Sequence, residues 1–348
     1  MTSWRTPART VAGVEELMPR LQARDVEIIT VLGRHKVLTL VQIARLFFTS
    51  VSSARDRVNT LYELGVLRRF RPASTRAAYR YALSHLGTCL YLAEQGDERP
   101  MPSKRKHEDG FVRLMNSRKL AHTEAVNDFF TRLHADLRAR YGALAGLLEW
   151  VHETTIFEYH GRELRPDGGG TLTINGVDTV SFWFEHDTGT EPQHVLLAKA
   201  DRYRRLDSHY VRIVLFQLPG PKRQRHFHQA LAKTDCWSTI ATTITGPRAD
   251  PADAVWWHLH KPRGELVRID QLPPSQLPGP AVVSRPVHVE VRLRNTSAAR
   301  KAALNGSRAR FGVGSRSRSR IRPGVRRRTS SQVAPQQTRA GRYPDKPI

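Results

Sequence analysis

Cysteine is scarce in this chain: two thiols, Cys89 and Cys236, lie far apart among 348 residues. So few thiols exclude a disulfide framework and a thiolate zinc centre, and they fit a reducing cytoplasm. Long apolar runs are missing as well. The longest, near Val211–Leu218, falls far short of the ~20 residues that cross a bilayer, so no membrane partner is expected. The basic N-terminus lacks the apolar segment of a secretory leader. Gly-x-Ser-x-Gly elbows and His-Glu-x-x-His helices are absent, and the run Gly168–Gly170 is too short and misplaced for a dinucleotide or phosphate loop. No solenoid-like repeat occurs.

Acidic residues are also in deficit, 32 against 56 Lys and Arg, for a net charge of +24. More than half of the excess lies in Asn295–Ile348, where 14 basic residues face the single acid Asp345. The remaining body is basic too. A surface of this sign attracts polyanions through counterion release, which makes nucleic acid the leading partner over a merely solubilising charge. From about residue 271 repeated prolines break structure, and Ser315–Arg320 and Arg326–Arg328 follow. Residues 271–348 therefore read as a Pro-rich, then Arg/Ser-rich, disordered tail.

Residues 20–95 read as one unit. Arg24–His35 has helical apolar spacing, Thr39 is an N-cap for Leu40–Phe47, and Ser52 or Ser53 caps a third helix over Ala54–Leu64 that Gly65 ends. Val66–Phe70 and Tyr79–Leu83 then alternate as a basic hairpin. This is the outline of a winged helix-turn-helix. The phrase Leu61–Leu67 resembles the recognition-helix exit of bacterial winged-helix repressors. In such a unit the third helix enters the major groove, here with Ser53, Arg55, Asp56, Arg57, Asn59 and Thr60 outward. The hairpin would set Arg68, Arg69, Arg71, Arg76 and Arg80 near phosphates. The competing reading is a winged helix used for protein contacts.

Residues 96–117, rich in charge and proline, read as a linker. Residues 118–265 then alternate in the order α-β-β-β-α-β-α-β. A long helix spans about Arg118–Tyr141, and strands are expected over Leu147–Phe157, Leu164–Ile174, Thr179–Asp187, Val211–Leu218 and Ser238–Ile244. Helices are expected over Glu191–Leu206 and Lys222–Lys233. The apolar strand ending in Glu185-His186-Asp187 carries two carboxylates two positions apart, hence on one face, with Asp167 opening the strand before it. Converging acids repel unless a cation sits between them, which makes Asp167, Glu185 and Asp187 a candidate divalent-metal site. The bland alternative turns the chain at Thr188-Gly189 with Asp187 and pairs Glu185 with Lys199 or Arg202. His122, His186, Trp183 and Tyr203 read as packing or hydrogen-bonding groups.

Several phrases, in order, resemble the actinobacterial replication-relaxation family. They are Arg24-Asp25, Val37–Phe48, Leu120–Phe130, Leu148-Glu149-Trp150 with Arg165–Gly168, and Phe184–Pro192 with Lys199 and Tyr203. Together they cover roughly residues 20–260. The resemblance implies a mobile-element context, plasmid or integrated, in replication, relaxation or transfer of its DNA. The second domain also resembles the PD-(D/E)XK nuclease fold, whose α-β-β-β-α-β core carries acids on its second and third strands, as Asp167 and Glu185 stand here. In that fold the acids hold Mg²⁺, which activates water, and a lysine follows the second acid by two residues. Asp187 occupies that position here, so the resemblance implies Lys199 as a displaced substitute, with Glu149 or Glu124 adding an acid.

The expected fold is α+β: an N-terminal winged helix, a restriction-endonuclease-like α/β domain with a mixed sheet, and a basic tail. The leading expectation is a cytoplasmic binder of double-stranded DNA. The alternatives are a Mg²⁺-dependent endonuclease or nickase with Asp167, Glu185 and Lys199 as its catalytic set, and an adaptor for replication or conjugation proteins. A two-fold homodimer is the usual form of a winged-helix binder, though no dimer helix stands out.

Overall fold

The computed structural model describes residues 17–72, 77–96, 102–160, 165–174, 177–205, 213–234, 240–246, 250–259, 261–262 and 264–272. Arg76, Cys236 and the basic tail lie outside them.

The N-terminal unit begins with α1 (Ala23–His35), whose Asp25 carboxylate accepts the Gln22 backbone N–H at 2.6 Å. Strand β1 (Leu38–Thr39) leads into α2 (Leu40–Phe47). Thr39 caps α2 through a capping box: its hydroxyl accepts the Gln42 N–H, and the Gln42 side chain accepts the Thr39 N–H. Helix α3 (Val51–Glu63) starts one turn earlier than the sequence suggests, because Ser50, not Ser52 or Ser53, accepts the Ser53 N–H. Strands β2 (Leu67–Phe70) and β3 (Arg80–Leu83) follow. They form an antiparallel sheet in the order β1-β3-β2, so the expected hairpin gains a third strand. Helix α4 (His85–Glu94), capped by Ser84, closes the unit.

The expected linker is in part a packed helix, α5 (Lys104–Met115), capped by Ser103. Phe111 is buried edge-on against Phe70, and Arg68 lies over the Phe111 ring at 3.9 Å. One turn of apolar residues at Phe111, Leu114 and Met115 anchors it, too short a stripe to stand out among its charges.

The long helix α6 (Leu120–Tyr141) opens the second half. Strand β4 (Gly146–His152) then ends earlier than expected, because His152 Nδ1 accepts the Thr154 N–H and the chain turns into α7 (Glu153–His160). After β5 (Gly168–Ile174) come β6 (Val177–His186), α8 (Gln193–Arg205), β7 (Ile213–Leu218), α9 (Pro221–Leu231), β8 (Ile240–Ile244) and the short β9 (Trp257–His258). These strands form one mixed sheet in the order β4-β5-β6-β7-β8-β9, antiparallel through β6, parallel to β8 and antiparallel again at β9. The fold is α+β, with a mixed six-stranded sheet. Among the described residues no helix is long and apolar enough to cross a membrane.

Helix α6 covers one face of this sheet. Phe129 stacks on Phe184 at 3.8 Å, and Phe130 lies flat against Trp150 and Phe182. The three glycines of β5 make this packing fit. A Cβ at Gly168, Gly169 or Gly170 would come within 2.8, 2.7 or 2.9 Å of the rings of Phe130, Trp183 or Phe182. Their purpose is room for aromatic rings. On the opposite face α8 and α9 cover Trp183, Val214 and Phe216.

One hydrophobic cluster runs from the N-terminal unit through α6 into the sheet. Polar contacts reinforce the seam. The buried Asn127 amide donates to the His35 and Val37 carbonyls, Gln42 donates to the Glu124 carbonyl, and Arg80 grips Glu124 with two bonds. His35, fully buried, stacks on Trp150 of β4 at 3.5 Å.

Candidate functional site

The outer face of α3 presents Ser53, Arg55 and Asp56 to solvent, with Asn59 and Thr60 half-buried beside them. The Thr60 hydroxyl donates to the Asp56 carbonyl at 3.0 Å, an ordinary backbone tie within a helix. Arg57 does not join this face as a free cation. Its guanidinium makes a two-pronged bond to Asp25, whose side chain is wholly inaccessible. It ties α3 to α1, a role that a count of exposed arginines does not foresee.

The hairpin arginines divide in the same way. Arg80 is spent on Glu124, with bonds of 2.7 and 2.6 Å, and on the Ala78 carbonyl. Arg68 bonds Glu108 and covers Phe111. Arg69 and Arg71 instead form a stacked group: Arg69 lies over Tyr62 and Tyr79 at 4.4 and 4.6 Å, and Arg71 lies over Tyr79 at 4.0 Å. Aromatic faces hold planar guanidinium groups in place, and Arg69 also bonds the Tyr81 hydroxyl. Tyr62 is on α3, so this cluster adjoins the exposed helix face.

The second candidate region lies at the C-terminal end of β6. Asp167 precedes β5, and its carboxylate accepts the His186 N–H at 2.8 Å and pairs with His122 Nε2 at 2.9 Å. Glu185 is buried; one oxygen accepts the Tyr203 hydroxyl at 2.6 Å, and the other lies 3.3 Å from the Lys199 ammonium. Lys199 also meets Glu191 at 3.0 Å. Lys199 and Tyr203 stand four residues apart on α8, so they reach one carboxylate together.

These contacts set the charges. Burial, then the neighbouring Asp167 charge, pushes the Glu185 carboxyl up from its usual value. Burial works to raise the Asp167 carboxyl as well, but the bonds from His122 and the His186 amide outweigh it and hold that group low. The hydrogen bond to Asp167 raises the His122 imidazole. Burial, reinforced by Glu185, pushes the Tyr203 phenol well up, so it stays a donor.

Asp187 departs from the expected metal set. Its oxygens accept the Gly189 N–H at 2.8 Å and the Arg223 guanidinium at 2.7 Å, which ties the turn after β6 to α9. Beyond the strand end, two-residue alternation no longer fixes a shared face. Among the described residues no three His, Cys, Asp or Glu side chains gather as a metal cage. The structure thus brings Asp167, Glu185 and Lys199 into one region and leaves Asp187 outside it. Glu124 is taken by Arg80, and Glu149 accepts the Thr171 hydroxyl. Sequence reading did not foresee His122 and Arg223 as partners of these acids; no local spacing signals such contacts from other helices.

No curated protein and no solved structure matches the chain. A model of the replication-relaxation family matches residues 29–213, more than half of the chain, from α1 to the start of β7. The chain belongs to the replication-relaxation family.

Proposed function

We propose that the protein binds double-stranded DNA of a mobile element and serves the replication or relaxation of that DNA. The reading rests on the arginine–tyrosine cluster of Arg69, Arg71, Tyr62 and Tyr79 beside the exposed face of α3. The order α1-β1-α2-α3-β2-β3 with a β1-β3-β2 sheet is similar to a winged helix, which supports α3 as the element that would enter the major groove. Ser53, Arg55, Asn59 and Thr60 are then the base-edge candidates, and Arg69 and Arg71 the phosphate contacts. Measured by fluorescence anisotropy, duplex affinity should fall steeply with salt and drop in the Arg55→Ala/Arg69→Ala/Arg71→Ala variant. Absence of any complex in dilute buffer would refute the proposal.

The second domain runs α6-β4-α7-β5-β6-α8-β7, which resembles the α-β-β-β-α-β succession of PD-(D/E)XK nucleases with α7 inserted after the first strand, and Asp167, Glu185 and Lys199 lie near one strand end. That proximity raises, as a second reading, a divergent metal-dependent nuclease. The donor set as it stands does not fit Mg²⁺. The oxygens of Asp167 and Glu185 already face His122, the His186 amide, Tyr203 and Lys199, and the Lys199 ammonium sits between Glu185 and Glu191. A nuclease-like scaffold that supports binding is the reading this arrangement favours. Supercoiled plasmid incubated with Mg²⁺ or Mn²⁺ should stay intact; nicking that Glu185→Gln abolishes would reinstate the nuclease.

A further inference from the structure

Helix α3 opens with four short side chains, Val51, Ser52, Ser53 and Ala54, before its first long one, Arg55. Ala54 is buried in the core. Ser50 and Ser53 are tied to the helix start: the Ser50 hydroxyl accepts the Ser53 N–H at 3.1 Å, and the two hydroxyls lie 3.0 Å apart. Val51 has no polar group to tie. It is 40% exposed, one of the few large apolar side chains left in water among the described residues.

A lone surface valine is ordinary; the place of this one is not. The first residues of a helix seated in the major groove are those that contact base edges. Short side chains at that point let the backbone come close to the bases. The first turn of α3 also lacks an acid. A carboxylate there would complement the helix dipole but repel the phosphates that flank the groove. Val51 and Arg55 stand four residues apart, so they share a face, about 6 Å apart along the axis. That spacing matches about two base-pair steps of the duplex.

We infer, on the strength of the DNA-binding reading of α3, that Val51 reads the C5-methyl group of a thymine within about two base pairs of the base that Arg55 contacts. The thymine methyl is the apolar group that base pairs display in the major groove; their other edge atoms donate or accept hydrogen bonds. Valine has no donor or acceptor side-chain atom, so it cannot satisfy those polar edges. Against a methyl it removes apolar surface of both partners from water. Val51 is therefore a specificity-determining residue: Arg69 and Arg71 hold any duplex by its phosphates, and Val51 favours a site with thymine at one position.

The test uses the full chain. Selection from a random-sequence duplex pool identifies the preferred site, and each thymine of that site is then replaced in turn by uracil. Uracil keeps the O4 acceptor and lacks only the methyl. In fluorescence anisotropy one such replacement should weaken wild-type binding by about three- to fivefold, the worth of one buried methyl. Val51→Ser should bind the thymine duplex more weakly by a similar factor and should lose most of its sensitivity to that same replacement, which closes a double-mutant cycle between the side chain and the methyl. Circular dichroism checks that the variant keeps its helices. Duplex binding with no preferred sequence, or indifference to every uracil replacement, would overturn the inference while leaving the DNA-binding reading in place. A thymine preference that persists undiminished in Val51→Ser would overturn it too, by assigning the methyl to another residue. Absence of any duplex complex would refute the DNA-binding reading itself, and the role of Val51 with it.

Discussion

His134 should make the fold acid-sensitive, and the structure gives the size of the effect. Its side chain is buried on α6, and its Nδ1 accepts the Leu147 N–H at 3.2 Å, at the start of β4. That bond needs an unprotonated Nδ1. Its Nε2 is buried without a partner, so no protein acceptor stabilises a charged ring. Burial, with the Arg138 charge adding to it, pushes the pKa from 6.5 down to about 4. The folded value lies below the unfolded one, so the contribution is complete above pH 6.5 and is lost as pH falls from there toward 4. The full loss corresponds to ~3 kcal/mol, and about 2 kcal/mol of it has gone by about pH 5. Urea unfolding of the wild type and His134→Asn at about pH 7.5 and about pH 5 would measure this. The asparagine oxygen can take the Leu147 N–H without titrating. The variant should start less stable but lose ~2 kcal/mol less on acidification. An identical acid-induced loss in both proteins would refute the reasoning. His152, also held at about 4, remains in both proteins and supplies a shared background.

Arg57→Leu should destabilise the protein by about 3 kcal/mol in thermal or urea unfolding, because it strands the fully buried Asp25 carboxylate; a loss under ~1 kcal/mol would mean that the pair is dispensable. Arg69→Ala with Arg71→Ala should lower the salt-dependence slope of duplex binding by about two, and a slope unchanged from wild type would remove both from the phosphate contacts. Lys199→Met leaves Glu185 and Glu191 without their shared ammonium, so millimolar Mn²⁺ should raise the melting temperature of this variant and not that of the wild type. Equal responses would argue against Lys199 holding the cation position. Gly169→Ala drives a methyl into Trp183 and should cost about 1–3 kcal/mol in urea unfolding, with a neutral outcome showing that the ring can retreat.

Local signals made the element order legible. Thr39 announced α2 as its N-cap, and alternation and continuous apolar character placed β6 and β7. Three helices were missed: α4, capped by Ser84, α5, with one apolar turn amid charge, and α7, whose start depends on His152. The candidate sites were legible as residue types and not as pairings. Arg57, Arg68 and Arg80 looked alike in the sequence, yet each is committed to an acid 32 to 44 residues away. Asp187 looked like a third ligand because strand alternation was carried one residue past the strand, where Arg223 of α9 claims it. Partners that come from other elements leave no trace in spacing, and they decided which charges stay available.

Helix α6 has a mechanical consequence. It bonds Arg80 at the hairpin base, Arg45 on α2 and the carbonyls at the end of α1, and it lies on the sheet's aromatic rings at the same time. Load applied to the amino-terminal half therefore passes straight into the sheet, and no tether is there to swing. A fragment cut off before α6 would bare the His35 ring and the buried Leu38 side chain to water and should be insoluble, so the two halves are best regarded as one lever with a single fulcrum.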